Sequence, residues 1–225
     1  GGESNRPGAL EVDTSEEISR VIPVIEKLAN KIAVPISADT RKSEVAKMAI
    51  ASGAAMVNDI SGLKFDSKMG DFCIESDVPV CIMHSQGIPE TMQNEPKYID
   101  VCLDIYDFLS QQIENLVNSG MQRKAIIVDP GIGFGKSLMH NLSLLRNISL
   151  FHGLGVPILI GVSKKKFVKT LAGLKENEDR MPGSISVALY ARSQGVQIFR
   201  VHNVKETVQA MKLWHSVHFN NVGDP

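Results

Sequence analysis

The chain has 225 residues, 43% hydrophobic and 22% charged, enough apolar material for one sizeable core and a single soluble domain over 1–225. Its 24 basic and 25 acidic residues leave a net charge of −1, which gives no electrostatic basis for binding nucleic acid or an anionic membrane. No apolar run approaches the roughly 18 residues of a membrane span, and the opening residues do not read as a signal peptide, so a cytoplasmic or organellar-matrix enzyme is expected.

The chain opens on "GGESNRPGAL", a loop with no element before it. It reads as leaving a strand that precedes Gly1. From there short apolar runs alternate with helical patterns. Strands are expected at 34–39, 55–59, 78–84, 125–129, 156–163 and 196–202. Helices are expected at 42–53, 68–76, 98–120, about 139–152, 184–195 and 204–219, several of them stopped by glycine. The polar loop "HSQGIPETMQNEP" at 84–96 has the length and composition of a lid, and equally of a plain flexible loop. Cys73, Cys81 and Cys102 fit neither a disulfide framework nor a zinc site and are expected reduced. The "NLS" at 141 and "NIS" at 147 read as chance matches to the glycosylation pattern.

The strands are near-continuous apolar runs, as in a parallel sheet covered on both faces. Strand alternating with helix leaves a doubly wound sheet or a (β/α)8 barrel. The strand ends favour the barrel. Asp39, Asn58, His84, Asp129, Ser163 with Lys164 and Lys165, and Arg200 with His202 would converge on one mouth. Six units are two short of eight, so the first strand, first helix and second strand are expected to lie outside these residues.

"DPGIGFGKS" at 129–137 nearly matches a P-loop, but Pro130 removes an N–H and Asp129 would repel a polyphosphate. The glycines are better explained by close approach of a flat ligand, on which Phe134 could stack. Asp129 could accept paired hydrogen bonds from an amino group and a ring N–H of a heterocycle; its plain alternative is a helix cap. Asp39 and Asn58 could complete the ring of contacts, or Asp39 could simply cap the next helix. Arg200 and His202 share one face of the last strand and suit an anion clamp, against the plain reading of a surface pair.

Taken together, "GGESNRPGA", "ISADT", "VNDISG", "CIMHSQGIPETMQ", "IIVDPGIGFGK", "GVSKKKF" and "FRVHNVKET" resemble, in order and over the whole chain, the dihydropteroate synthase family. The resemblance implies a homodimeric (β/α)8 barrel. It implies that 6-hydroxymethyl-7,8-dihydropterin diphosphate condenses with 4-aminobenzoate, with Mg2+. It implies that Asp39, Asn58, Asp129 and Lys165 hold the pterin, and that Arg200 and His202 hold the diphosphate. Asn5, Arg6, Pro7, Phe134 and Ser163 would line the aminobenzoate pocket. Asp129, Lys165, Arg200 and His202 would be the catalytic set. The metal ligand is expected on the first strand, outside this chain. Two positions depart from the family pattern: Asn5 stands where Thr is usual, and Lys164 follows Ser163 where Arg is usual. The alternatives are a barrel that presents methyltetrahydrofolate to a corrinoid protein, and an inactive pterin-binding remnant. The former has little use for Arg200, His202 or "SNRPG".

Overall fold

A computed structural model describes residues 1–6, 8–87, 92 and 95–219. The expected contact at Pro7 and much of the polar loop 84–96 lie outside the described residues. The elements run α1 (Thr14–Ala29), β1 (Ser37–Asp39), α2 (Ser43–Ala51), β2 (Met56–Asp59), α3 (Lys68–Glu75), β3 (Val80–Met83), α4 (Val101–Asn118) and β4 (Ile126–Asp129). They continue with α5 (Leu138–Arg146), β5 (Leu159–Ile160), α6 (Lys166–Leu171), α7 (Met181–Ser193), β6 (Ile198–Phe199) and α8 (Val204–Phe219).

Parallel ladders join β1 to β2, β2 to β3 and β3 to β4, and β5 to β6. A parallel bridge from Val128 to Ile158 links the two sets, so six strands follow one another in chain order. Six parallel strands laid flat would separate the first from the last by about 24 Å. Yet Arg200, just beyond β6, places Nη2 2.8 Å from Asp39 Oδ2 at the end of β1. The arc therefore curls round on itself, which is the geometry of a barrel and not of an open sheet. Register does the rest: Asp39 lies opposite Asn58, and Met83 opposite Asp129, so the polar strand ends share one rim.

The core fills the space between this arc and its helices. Val80, Ile82, Ile126, Val128, Ile158 and Ile160 are fully buried from the strands. In α4, Ile105, Leu109, Ile113 and Leu116 are buried at helical spacing. Asp100 starts that helix by accepting from the N–H groups of Cys102 and Leu103. A smaller cluster of Ile22, Ile25, Ala38, Ala49 and Ala54 seats α1 and α2 on β1.

Two helices were not expected. In α1, Pro23 sits inside the helix and breaks the sequence pattern, but Asp13 caps its start and Ile22 and Ile25 are buried. In α6, Lys166 and Lys169 mask a single turn and a half that buries Phe167 and Val168. The helix expected at 139–152 divides into α5 and a 3-10 segment, Ile148–Leu154. The ladders are also shorter than the apolar runs that feed them.

Candidate active site

Asp129 closes β4, where the run Ile126–Val128 has carried the chain through the core. Its carboxylate Oδ1 accepts the Gly131 N–H at 2.7 Å. Burial pushes the carboxyl upward; the Gly131 hydrogen bond and the charges of Lys165, Lys136 and Arg200 act against that rise. The turn after Pro130 is as tight as the backbone allows. At Gly131, φ is +72° and a Cβ would stand 1.9 Å from the His84 carbonyl oxygen. At Gly135 it would meet the Gln86 carbonyl oxygen at 2.4 Å. Only glycine lets this loop lie against the end of β3.

Lys136 is turned into the protein. Its ammonium lies 2.9 Å from the Phe134 carbonyl oxygen, 3.2 Å from the His84 carbonyl oxygen and 3.1 Å from His84 Nδ1. Three polar atoms of the fold thus surround Lys136 Nζ. Burial drives the Lys136 pKa well down, and burial with the Lys136 and Lys64 charges drives His84 to about 2, so that ring is neutral. Asn141 holds the same loop from α5, accepting the Gly133 N–H at 2.6 Å and donating to the Ser137 carbonyl. Its burial at 4% exposure removes it as a glycosylation acceptor.

From the end of β5, Lys165 reaches back across the mouth. Its Nζ donates to the Ile132 carbonyl at 2.7 Å and stands 3.9 Å over the Phe134 ring. Burial lowers its pKa to about 8, against the pull of Asp129 and with the push of Arg200. Lys164 adopts φ +56° and leaves its carbonyl to Arg180, while Lys166 enters α6. Of the three consecutive lysines, Lys165 alone is described in contact with the Asp129 loop.

Asp39 Oδ1 accepts Asn5 Nδ2 at 3.1 Å while Oδ2 takes Arg200, so the opening loop, β1 and the end of β6 meet at one carboxylate. Asn58 is buried beside it. Ser163 Oγ accepts the His202 N–H at 3.2 Å and lies 2.9 Å from His202 Nδ1. Burial first, then Lys164, Arg200, Arg6 and Lys165, lowers the His202 pKa. Arg6 is exposed and acts on His202 through its charge. A cavity of about 260 Å³ adjoins the mouth, lined by Phe134, Arg41, Phe65 and Lys64 among others.

The family model of the pterin binding enzymes matches residues 1–202. The dihydropteroate synthase of Escherichia coli strain K12 is 44% identical over 213 residues, spanning 95% of this chain and 75% of its own. This chain belongs to the dihydropteroate synthase family. The Yersinia pestis dihydropteroate synthase, solved with a sulfonamide drug complex, superimposes with a TM-score of 0.92 at 41% identity, covering 96% of this chain and 78% of that one. The Xanthomonas albilineans dihydropteroate synthase, in complex with 7,8-dihydropteroate, gives 0.87 at 37% identity, covering 97% and 78%.

In this chain the rim brings together Asn5, Asp39 and Arg200 by direct contact, Phe134 with Lys165, and Ser163 with His202. His84 was expected at the mouth as a strand end, but the contacts by which Lys136, His84 and Asn141 hold the Asp129 loop carry no signal in the sequence. Their contacts to that loop span 52 residues for His84 with Lys136 and are fixed only by the fold.

Proposed function

We propose that this chain acts as the family does, joining 6-hydroxymethyl-7,8-dihydropterin diphosphate to 4-aminobenzoate and releasing pyrophosphate, with the whole of 1–225 as one pterin-binding domain. The observation that carries this reading is the convergence on one rim of a buried carboxylate, Asp129, with the cations Lys165 and Arg200 from the next two strand ends. Such a rim suits a flat ring with N–H donors at one end and an anion at the other.

Asp129, Asp39 and Asn58 would accept and donate along the pterin edge, with Lys165 beside it. Arg200 and His202 would hold the diphosphate. The carbon–oxygen bond to the diphosphate breaks with its electron pair leaving on oxygen. Asp129 stabilises the positive charge left on the pterin, and Arg200 the charge gained by the leaving group. The arylamine nitrogen then attacks that carbon and loses a proton. Phe134, Ser163, Asn5 and Arg6 would place the amine; a Xanthomonas albilineans relative solved with 4-aminobenzoic acid supports that compound as the second substrate. Catalysis on this scheme is positional and electrostatic.

Mg2+ would neutralise diphosphate charge when bound. Among the described residues no three His, Cys, Asp or Glu side chains group to hold a metal, and both Asp39 oxygens are already engaged. These residues do not by themselves fit a magnesium site, and no step above runs through one. A homodimer fits the apolar surface of α8, where Leu213 and Val217 are 67% and 77% exposed. No helix among the described residues is long and apolar enough to cross a membrane.

The test is formation of 7,8-dihydropteroate from the two substrates, followed with pyrophosphate release. A folded protein that binds a pterin yet yields neither product would refute the reading.

A further inference from the structure

The opening loop is held to the end of β1 by a buried cluster of ion pairs. Glu3 and Val12 stand at its two ends. Glu3 Oε1 accepts Arg41 Nε at 2.7 Å, and Glu3 Oε2 accepts Lys42 Nζ at 3.0 Å and the Val12 N–H at 2.9 Å. Lys42 also donates to the Val12 carbonyl and, at 2.9 Å, to Glu17 of α1. Arg41 lies 3.6 Å from Glu11 and stacks 3.8 Å from the Phe65 ring centroid. Each cation therefore reaches both ends of the loop: Arg41 to residues 3 and 11, Lys42 to residues 3 and 12.

Arg41, Lys42, Glu3 and Glu17 are all at least nine-tenths buried in their side chains. All three Lys42 N–H groups are used, and one Glu17 oxygen, Oε1, has no partner. Burial alone would raise the Glu3 carboxyl and lower the Lys42 ammonium; the hydrogen bonds from Arg41, Val12 and Lys42 and to Glu17 and Glu3 reverse both directions. The two cations directly follow Asp39 and Thr40, and Asp39 itself accepts Asn5. The loop is thus fastened at three points to the strand end that carries a rim carboxylate.

We infer that Arg41 and Lys42 form a clasp that closes the loop bearing Asn5 and Arg6 and sets its distance from Asp39, which makes both of them positioning residues for the arylamine substrate. This rests on the assignment of Asn5 and Arg6 to the aminobenzoate side.

The experiment compares Glu3→Gln, Lys42→Met, Lys42→Arg and Glu17→Gln, with Arg6→Ala as the reference for the loop. Hydrogen exchange over residues 4–11 is read alongside KM for each substrate, kcat and Tm. Glu3→Gln and Lys42→Met are expected to speed exchange in 4–11 at least tenfold and to raise the 4-aminobenzoate KM at least fivefold. The pterin diphosphate KM should stay within twofold. Lys42→Arg should restore most of the loss. Glu17→Gln, which leaves both loop ends fastened, should lower Tm without changing either KM. If Lys42→Met does not fold, Glu3→Gln and Lys42→Arg carry the comparison. Unchanged exchange in 4–11 would overturn the clasp whatever the loop binds. Faster exchange with an unchanged aminobenzoate KM, while Arg6→Ala raises it, would overturn the positioning role, as would KM values that simply follow Tm through Glu17→Gln. Should Arg6→Ala leave that KM unchanged, the assignment of the loop to aminobenzoate has failed, and the exchange result decides the clasp alone.

Discussion

Replacing Gly131 by alanine tests the geometry of the Asp129 loop with one methyl group. Two costs add. A left-handed backbone costs a non-glycine residue about 1–2 kcal/mol, and Gly131 has φ +72°. The new Cβ would also stand 1.9 Å from the His84 carbonyl oxygen, where an ordinary C···O contact needs about 3.3 Å. One backbone must therefore move by more than an ångström, at an overpacking cost of about 1–3 kcal/mol. The sum is about 2–5 kcal/mol. Gly173 supplies the control: its φ is +64° and nothing lies within 4 Å of its would-be Cβ, so Gly173→Ala should cost only the first of these terms. Urea unfolding with linear extrapolation gives both values, and calorimetric titration with a pterin analogue shows whether the displaced loop still presents Asp129. Equal destabilisation by the two substitutions, with full pterin affinity retained in Gly131→Ala, would refute the close packing of this loop on β3.

Three further outcomes follow from the rim. Asp129→Asn should weaken pterin binding at least tenfold, about 1.4 kcal/mol; unchanged affinity by calorimetry removes Asp129 from the site. Arg200→Ala should impair binding of the pterin diphosphate while sparing a pterin without phosphates, so equal losses for both would count against the anion clamp. Burial lowers the Lys165 pKa to about 8, from an ordinary value of about 10.4. Between those values the unfolded chain holds a proton the folded chain has released, so this group's contribution to stability rises with pH across the window. Pterin affinity should instead fall as pH passes about 8 and Lys165 loses its charge, and Lys165→Arg should shift that fall upward in a titration from pH 6.5 to 9.5. Coincident profiles for the two proteins would exclude Lys165 as the cause.

The rim was legible because each strand run ends in a polar residue, and register converts that regularity into a ring. Asp39 against Asn58 and Met83 against Asp129 need no more than parallel pairing in chain order. What was not legible depends on contacts distant in sequence or on patterns that contradict local rules. Pro23 hides α1, and lysines hide α6. Glu3 meets Arg41 and Lys42 at separations of 38 and 39 residues. Lys136 looked like the lysine of a phosphate loop, yet its Nζ is surrounded by three polar atoms of the fold.

The contact of Ser163 with His202 bears on how the diphosphate end attracts its ligand. The serine oxygen accepts the His202 backbone N–H and keeps a proton that it can donate to Nδ1 when that nitrogen is the acceptor. That choice leaves the imidazole proton on Nε2. Burial and the neighbouring cations lower its pKa, which favours the uncharged ring. His202 would then recognise a phosphate oxygen as a directional, neutral donor, while Arg200 supplies the charge. Grip on the leaving group would thus be divided between orientation and field strength, and the orienting half would persist unchanged as the surroundings drift from neutral toward alkaline.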